Sequence, residues 1–385
     1  MTSRFEYNLD KLRKENRFRT IPEESSGIID LVSNDYLGLS RFEYDLKEEF
    51  FQTYGDASFS SSASRLLSRK QRYHVLLEKK LASLYEKDIL LFNSGYHANT
   101  GILSALGSPE TLFLVDELMH ASALDGVKLA QFHRKSTVKK FPHNNTYVLE
   151  EILKEEMGKK HISEVIIVSE SVFSMDGDVA PLNQLVEIKM EYPEVLIYLD
   201  EAHGFGVKGE RGLGLAEELG LIRDVDIIVG TFGKAAFSEG AFVAASKVIK
   251  EFLQNFSRSF IFSTAIPPIN AAWTYFIMDK ILGMKDQRSH LASLSKEFAE
   301  RLSKVVSSCQ PIVSSSQIVP LLCGSADKAI ETAARLRENG FDVLPIRYPT
   351  VTRGGERIRF SLNATLNHSD LMPIYKILQN WDAPR

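Results

Sequence analysis

The sequence of 385 residues is poor in cysteine, with only Cys309 and Cys323. Two cysteines exclude a disulfide framework and fit a reducing compartment. No group of cysteine and histidine residues has the spacing of a zinc site, so we predict no bound metal. The formal net charge of −4 gives no electrostatic reason to expect binding to nucleic acid or to an anionic membrane.

The sequence also lacks a long uninterrupted apolar run. Its most apolar stretch, residues 260–284, is broken by Pro267-Pro268 and by Asp279-Lys280, so it does not predict a membrane span. Residues 1–19 carry both signs of charge and lack the apolar core of a signal peptide. With 44% hydrophobic and 25% charged residues, the composition is that of a globular protein. Together these features predict a cytoplasmic protein.

Segments with the patterns of strands and helices alternate between about residues 45 and 275. Short apolar runs bounded by turn residues predict strands, and longer amphipathic runs predict helices. The predicted strands span residues 89–92, 111–115, 165–168, 195–199 and 226–229, and the predicted helices span residues 98–106 and 182–192. This alternation predicts an α/β fold with a mostly parallel sheet covered by helices on both faces.

The pattern changes after about residue 285. Helices are predicted at residues 290–306 and 326–339, and strands at residues 318–322, 342–346 and 357–362. These elements predict a small α+β domain. We therefore predict an N-terminal segment with a charged amphipathic helix (1–45), a large domain (46–284) and a small C-terminal domain (285–385).

Lys234 and Asp200 each follow a predicted buried strand, at residues 226–229 and 195–199 respectively. In open α/β sheets, ligands bind outside the carboxyl ends of the strands, so we expect the two side chains to converge. A lysine after a strand is by itself most often a solvated surface residue. The pair, however, matches what pyridoxal phosphate requires: a lysine amine for a Schiff base and a carboxylate for the ring nitrogen. We therefore predict a pyridoxal phosphate site.

The phosphate of this cofactor needs its own binding group. Ser94-Gly95-Tyr96 stands at a strand–turn–helix junction, where backbone N–H groups and the helix dipole favour an anion. An ordinary helix start has the same pattern, so the junction alone is a weak signal. Ser263-Thr264, just before Pro267, adds two hydroxyls of a kind that contact phosphate. These residues are the predicted phosphate contacts.

Two more strand ends carry polar candidates. Ser174 lies in an unusual string, residues 172–182, which follows the strand at 165–168. Within that string Asp176-Gly177-Asp178 also fits a simple turn. His120 follows the strand at 111–115, where a flat imidazole can stack on a pyridine ring. A lone histidine is more often structural, and His120 is a candidate because of the residues around it.

Read together, these motifs resemble the α-oxoamine synthases, a family of fold type I pyridoxal phosphate enzymes. They occur in family order and cover nearly the whole chain, at residues 33–40, 94–96, 120–122, 172–182, 200–204, 231–234, 263–268 and 347–351. The resemblance implies a homodimer that condenses an amino acid with an acyl thioester and releases carbon dioxide. The family match implies a large domain with the sheet and a small C-terminal α+β domain.

The resemblance also implies roles for the cofactor site. Lys234 would form the Schiff base and then act as the base that removes a substrate proton, which requires its pKa to fall below the usual value of about 10.4. Asp200 would keep the pyridine nitrogen protonated, and His203 would bond the phenolic oxygen of the ring. His120 would stack on the ring and polarise the thioester carbonyl. The remaining implied contacts are Ser94, Gly95, Tyr96, Ser174 and Thr231, with Ser263 and Thr264 reaching the neighbouring subunit's phosphate.

For the substrates, the resemblance implies a carboxylate clamp at Arg359, assisted by Asn34. Thr350 would line the acyl side. Within the family, the amino-acid sequences of residues 34–36 and 173–178 favour the biotin-pathway member. That member joins glycine to a pimeloyl thioester on coenzyme A or acyl carrier protein. Either Arg17 or Arg19 would then meet the far carboxylate of the pimeloyl chain.

Alternatives remain within and beyond this family. A serine palmitoyltransferase would use serine and a long acyl chain, and 2-amino-3-ketobutyrate CoA ligase would use acetyl-CoA. The same fold also hosts aminotransferases, and a cofactor-binding but inactive scaffold is a further alternative. Where the family has a glycine-rich loop, this chain has Phe-Ser-Ser-Ser-Ala-Ser-Arg at residues 59–65. Where the family has glycine shortly after the lysine, this chain has Ala236-Phe237. Both departures lie near the family's substrate channel, so they bear on acyl specificity.

Overall fold

The computed structural model describes residues 3–21, 27–159, 161–306 and 314–379. Cys309 lies outside these residues, whereas Cys323 is buried. The described strands are β1 (Ile29–Asp30), β2 (Asp88–Phe92), β3 (Thr111–Asp116), β4 (Thr137–Phe141), β5 (Glu164–Glu170), β6 (Val195–Asp200), β7 (Ile227–Thr231), β8 (Ala241–Ala245), β9 (Ile318–Leu322), β10 (Phe341–Asp342), β11 (Pro345–Ile346) and β12 (Arg357–Ser361).

The described helices follow the same chain order. They are α1 (Ser3–Lys14), α2 (Glu43–Tyr54), α3 (Arg72–Tyr85), α4 (Gly95–Leu106), α5 (Ala121–Leu129), α6 (Thr146–Met157), α7 (Leu182–Glu191), α8 (Leu215–Glu218), α9 (Lys247–Phe256), α10 (Arg258–Ile261), α11 (Pro268–Gly283), α12 (Lys285–Val305), α13 (Ala326–Glu338) and α14 (His368–Gln379). The chain divides into two compact units: a larger one, Asp35–Ser174 with Val179–Arg288, and a smaller one, Met1–Asn34 with Met175–Asp178 and Ser289–Arg385.

The larger unit is built on a seven-stranded sheet in the order β2-β8-β7-β6-β5-β3-β4. Strands β3 to β7 run parallel, which confirms the predicted mostly parallel sheet. Strand β8 is antiparallel to both of its neighbours, β2 and β7. Neither β4 nor β8 was predicted. The parallel strands place several carboxyl ends at one edge of the sheet, where ligands bind in this architecture.

Apolar side chains on both faces explain why these segments form central strands. Every residue of β3, β7 and β8 is buried, as expected for a sheet covered by helices on both sides. One core cluster includes Leu90, Phe113, Ile166 and Tyr198 from four strands and Ile102 from α4. This packing fixes the sheet, and through it the strand ends.

Within the apolar stretch at residues 260–284, helix α11 runs from Pro268 to Gly283 without a break. Proline is tolerated in the first turn of a helix, because the N–H that it lacks would have no intrahelical partner there. Asp279 and Lys280 lie near the end of this helix. Among the residues that the structure describes, no helix is long and apolar enough to cross a membrane.

The smaller unit contains a three-stranded antiparallel sheet in the order β11-β12-β9. The single strand predicted at residues 342–346 is wrong, because β10 and β11 are separate two-residue strands interrupted at Val343-Leu344. Strand β10 pairs in parallel with β1. Residues near the N-terminus therefore take part in the same unit as the C-terminal elements.

Candidate active site

Four adjacent strands of the larger unit end in polar residues at one edge of the sheet. These residues are Asp116 on β3, Glu170 on β5, Asp200 on β6 and Thr231 on β7. Lys234 follows Thr231 by one short turn. Asp200 and Lys234 are close enough for their charges to act on both His120 and Glu170. The structure therefore brings together the lysine and the carboxylate expected from the sequence.

Asp200 is buried, and both of its carboxylate oxygens accept hydrogen bonds. Asn99 Nδ2 donates to Oδ2 at 2.7 Å, and the backbone N–H of Ala202 donates to Oδ1 at 2.8 Å. Buried donors of this kind favour the charged carboxylate and fix its direction. A charged, oriented carboxylate is what a protonated pyridine nitrogen requires.

Asn99 was not identified from the sequence, yet it links Asp200 to His120. Its amide nitrogen also lies 2.9 Å from Ser122 Oγ, and Ser122 Oγ lies 2.6 Å from His120 Nδ1. The Tyr198 hydroxyl donates to Asn99 Oδ1 at 2.6 Å, which orients the amide. Asn99 is 2% exposed and lies among apolar buried residues of α4, a placement that the sequence alone does not mark.

His120 stands immediately before α5 and caps it. Its Nδ1 accepts from the backbone N–H of Ser122 at 3.2 Å, so a neutral ring carries its proton on Nε2. Burial lowers the pKa of His120, Asp200 raises it and Lys234 lowers it, with a downward net direction. The neutral imidazole is therefore favoured, with Nε2 as a hydrogen-bond donor. The backbone N–H of His120 donates to Glu170 Oε1.

His203 is buried three residues beyond Asp200, and its Nδ1 is hydrogen-bonded to the Tyr36 hydroxyl at 2.6 Å. The backbone between these two functional residues turns tightly, because Gly204 N–H donates to Glu201 O at 3.0 Å. Tyr36 belongs to the sequence motif at residues 33–40, although no role was assigned to it there. The tyrosine sets the orientation of the imidazole.

The predicted phosphate contacts adjoin one another. A Cβ atom added to Gly95 would lie 3.6 Å from Thr231 Cβ, so the first turn of α4 packs beside that hydroxyl residue. Ser94 caps α4, with its Oγ accepting from His97 N–H at 3.2 Å. The helix therefore begins at Gly95, three residues before the predicted start. A twelve-residue helix whose N-terminus faces a threonine hydroxyl fits a phosphate.

Tyr96 and Thr264 have defined places near this turn. The Tyr96 hydroxyl donates to Asp125 Oδ2 at 2.5 Å, and that bond raises the pKa of Tyr96. Asn93 Nδ2 donates to the backbone oxygen of Thr264 at 2.7 Å, which ties the Ser263-Thr264 segment to the residue before Ser94. Ser263 is half-buried.

Ser174 is half-buried, belongs to the larger unit and lies between Val172 and Val179, which pair with each other. The adjacent Asp176 belongs to the smaller unit, where Arg357 Nη1 donates to its Oδ1 at 2.6 Å. Gly177 adopts a φ of +70°, which favours glycine. The Asp-Gly-Asp string is therefore a turn that is held by an ion pair.

The predicted substrate residues form two pairs within the smaller unit. Arg359 Nη2 donates to Asn34 Oδ1 at 3.0 Å, and Arg19 Nη2 donates to Thr350 Oγ1 at 3.0 Å. Arg17 instead pairs with Glu15 at 2.7 Å, and its guanidinium lies 4.5 Å from the centre of the Tyr348 ring. Of the two arginines, Arg19 is therefore the one that is hydrogen-bonded to the predicted acyl-side residue Thr350.

Phe237 belongs to the Ala236-Phe237 pair that follows Lys234, and its φ of +46° is in the left-handed region that glycine adopts most easily. The Trp273 Nε1–H group donates to Phe237 O at 2.8 Å, and Phe237 N–H donates to Lys234 O at 2.9 Å. The surrounding contacts keep the backbone of the Lys234 turn in the conformation that glycine would adopt.

The residues present fit pyridoxal phosphate. Asp200 offers a buried, oriented carboxylate, Lys234 offers an amine that acts on the same neighbours, His120 and Glu170, as Asp200 does, and Gly95 with Thr231 offers a phosphate cradle. Groups of three or more histidine, cysteine, aspartate or glutamate side chains with metal-binding geometry are absent from the described residues.

Comparisons with known proteins show the family of this chain. Residues 26–376 match the family described as aminotransferase class I and II. The chain is 42% identical over 388 aligned positions to a Pasteurella multocida protein named "Putative 8-amino-7-oxononanoate synthase", covering 97% of this chain and 98% of that protein. The chain therefore belongs to the aminotransferase class I and II family.

Solved structures identify the chemical class more closely. A lysine-to-alanine variant of serine palmitoyltransferase from S. paucimobilis, bound to a pyridoxal phosphate–myriocin aldimine, has a TM-score of 0.85 at 25% identity and covers 99% of this chain and 98% of its own. The 8-amino-7-oxononanoate synthase of Francisella tularensis has a TM-score of 0.76 at 26% identity, covering 93% and 98%. The protein is a fold type I pyridoxal phosphate-dependent transferase of the α-oxoamine synthase type.

Proposed function

We propose that this enzyme condenses glycine with a pimeloyl thioester, carried by coenzyme A or acyl carrier protein. The products are 8-amino-7-oxononanoate, carbon dioxide and the free thiol of the carrier. A C–C bond forms between the glycine α-carbon and the thioester carbonyl carbon, the thiolate leaves, and the glycine carboxylate is lost as carbon dioxide. Curated relatives at 42% identity carry the name of this activity.

When bound, pyridoxal phosphate would supply an aldehyde that reacts with amines and a ring that accepts electrons from the amino acid α-carbon. Asp200 would hold the ring nitrogen through its buried carboxylate, which is oriented by Asn99. His203, oriented by Tyr36, would donate to the phenolic oxygen of the ring. Ser94, Gly95, Tyr96 and Thr231 would bind the phosphate, and Ser174 would help to place the ring.

Proton transfer falls to Lys234. Its free amine removes a proton from the glycine α-carbon and can return one after carbon dioxide leaves. Removal of a proton requires the neutral amine of Lys234. His120 contributes a hydrogen bond from Nε2 to the thioester carbonyl oxygen as negative charge develops there, since its Nδ1 accepts from Ser122.

Recognition of the two substrates falls to the smaller unit. Arg359 binds the glycine carboxylate with its planar guanidinium, which Asn34 orients from 3.0 Å. Arg19 and Thr350, joined at 3.0 Å, bind the far carboxylate of the pimeloyl chain. This cation–hydroxyl pair is the observation that carries the choice of acyl group, because a long hydrocarbon chain would gain nothing from it.

We also propose that the enzyme is a cytoplasmic homodimer. Ser263 and Thr264 of one subunit contact the cofactor phosphate of the other. Within one subunit the backbone oxygen of Thr264 accepts a hydrogen bond from Asn93 Nδ2, and the contact across the interface is what the family resemblance implies. The large domain (46–284) carries the cofactor, and the small domain (285–385), with the N-terminal segment (1–45), carries the substrate residues.

A panel of acyl thioesters with glycine, serine and alanine tests the proposed function. Acetyl, pimeloyl and palmitoyl groups are each offered on coenzyme A and on acyl carrier protein, and release of carbon dioxide and thiol is followed. We expect the highest kcat/KM with glycine and a pimeloyl thioester. A preference for serine with palmitoyl-CoA would instead support serine palmitoyltransferase, the function of a solved enzyme with a TM-score of 0.85 to this chain. A preference for acetyl-CoA would support 2-amino-3-ketobutyrate CoA ligase.

A further inference from the structure

Glu170 is a buried carboxyl group beside the cofactor site to which no role has been assigned. It is the last residue of β5, which lies between β3 and β6, and it is 3% exposed. In the parallel pairing of β5 with β6, Glu170 is directly opposite Asp200. Neighbouring strands are about 4.8 Å apart, and residues in register point to the same face of the sheet. Two buried carboxyl groups therefore stand side by side.

Two adjacent negative charges in a buried site are unfavourable, so one of the two carboxyl groups tends to keep its proton. Asp200 accepts from the Asn99 amide and from Ala202 N–H, and both bonds favour its charged form. Glu170 accepts the backbone N–H of His120. A protonated carboxylic acid can still accept that bond through its carbonyl oxygen. The contacts therefore assign the charge to Asp200 and the proton to Glu170.

The surrounding charges act in the same direction. Burial and, next, the charge of Asp200 raise the pKa of Glu170 to about 8. The His120 N–H and the charge of Lys234 lower it, while Asp116, at the end of β3 on the other side of β5, raises it. The upward influences outweigh the downward ones, so Glu170 stays protonated at neutral pH.

We propose that Glu170 is a neutral carboxylic acid in the resting protein and acts in this form as a positioning residue. Its carbonyl oxygen accepts the His120 N–H and thereby fixes the start of α5 and the imidazole. It does so without placing a second negative charge beside Asp200. This inference rests on the proposed roles of His120 and Asp200, but not on the identity of the acyl substrate.

Substitution of Glu170 separates the neutral role from a charged one. Glu170→Gln keeps a carbonyl oxygen and removes the charge, so kcat should stay within about threefold of the wild-type value. Glu170→Leu leaves the His120 N–H without its acceptor, and kcat should fall by about tenfold or more. If Glu170→Gln is impaired as severely as Glu170→Leu, the carboxylate charge is required and the proposal is wrong.

A second experiment needs neither cofactor nor substrate, so it stands even if the proposed reaction is wrong. The folded apoprotein holds a proton on Glu170 that the unfolded chain, with a glutamate pKa of about 4.3, releases. The stability that this proton contributes is complete below pH of about 4.3 and is lost as the pH rises towards the folded pKa of about 8. As the pH rises through this window, the unfolding temperature of the wild-type apoprotein should therefore fall relative to that of Glu170→Gln. A constant difference between the two proteins would overturn the proposal.

Infrared spectroscopy of the apoprotein at pH 7 gives a direct readout. The wild-type minus Glu170→Gln difference spectrum should contain the carbonyl band of a protonated carboxylic acid. A carboxylate band in its place would show that Glu170 is ionised, and the proposal would fail even if the variant retained activity.

Discussion

The side-chain amide of Asn99 donates to the carboxylate of Asp200 at 2.7 Å. The same nitrogen lies 2.9 Å from the Ser122 hydroxyl, which in turn contacts His120. One amide on α4 therefore orients the carboxylate proposed for the ring nitrogen and, through a serine, the imidazole proposed to stack on the ring. Asp200 and His120 come from different strand ends, so this link makes their placement interdependent.

We expect Asn99→Ala to destabilise the protein and weaken cofactor binding. The change removes a donor from Asp200 and the acceptor of the buried Tyr198 hydroxyl, which costs about 1–3 kcal/mol when a buried partner is left unsatisfied. Denaturant unfolding of the apoprotein and titration with pyridoxal phosphate measure the two effects. Asn255→Ala, at an exposed asparagine on α9, is the control. Equal stability of the two variants would exclude the proposed link.

Lys234→Ala should abolish the visible absorbance of the purified protein with pyridoxal phosphate and the adduct trapped by borohydride. The physical reason is that a Schiff base needs the lysine amine. Lys247→Ala is the control, because the Lys247 side chain is 75% exposed and lies on α9. A trapped adduct that persists in Lys234→Ala would show that another lysine forms the Schiff base.

Asp200→Asn should retain pyridoxal phosphate while kcat falls by several orders of magnitude. The phosphate turn at Ser94-Gly95 and the Thr231 hydroxyl remain intact, so the cofactor still binds. A neutral amide cannot hold the proton on the ring nitrogen, and the ring accepts electrons poorly without it. Turnover within tenfold of the wild-type rate would mean that Asp200 is not the partner of the ring.

Arg19→Ala should raise the apparent KM for pimeloyl-CoA and leave the KM for glycine nearly unchanged. A charge-assisted hydrogen bond is worth about 1.5–3 kcal/mol, which corresponds to roughly one to two decades in affinity. Arg17→Ala is the matched control, since Arg17 is paired with Glu15 and stacked on Tyr348. Equal turnover of pimeloyl-CoA and palmitoyl-CoA, unaffected by either substitution, would end the biotin-pathway proposal.

The proposed dimer is tested by sedimentation and by mixing variants. Interfaces of obligate dimers bury about 2,000–5,000 Å², so the enzyme should sediment as a dimer at assay concentrations. A Lys234→Ala subunit combined with a Ser263→Ala/Thr264→Val subunit should regain activity, because one of the two sites in the heterodimer is then intact. A fully active monomer would refute the dimer. Mixed subunits that stay inactive would place Ser263 and Thr264 at their own subunit's site.

The sequence predicted those parts of the site that follow strand ends. Asp200, His120 and Lys234 each come after a short apolar run, and the parallel order of those runs brings their ends to one edge. Asn99 was missed because nothing local marks it: its partner Asp200 is 101 residues away along the chain. Long-range hydrogen bonds of this kind leave no pattern in a single sequence.

The predicted element boundaries are wrong where a side-chain hydrogen bond, and not the apolar pattern, determines where an element begins. The hydroxyl of Ser94 caps α4 and starts it at Gly95, although the apolar run begins at Ala98. Strand β8 was missed because Ala241–Ala245 is a short apolar run that also fits a buried helix. Its antiparallel direction depends on the tight turn after Lys234, where Phe237 and Gly240 both have positive φ.

The position of β8 in the sheet has a consequence for the order of assembly during translation. Strand β2, at one edge, is joined to the rest of the sheet through β8, with Asp88 opposite Ala245. Phe92 is the last residue of β2. It precedes the turn that starts α4, and this turn is the one that would hold the phosphate. A nascent chain that has reached Asp200 already carries the groups for both ends of the cofactor, but β2 still lacks its neighbour. The ribosome must deliver more than forty further residues before the pocket can close, so cofactor capture is expected to be a late event in the maturation of this protein.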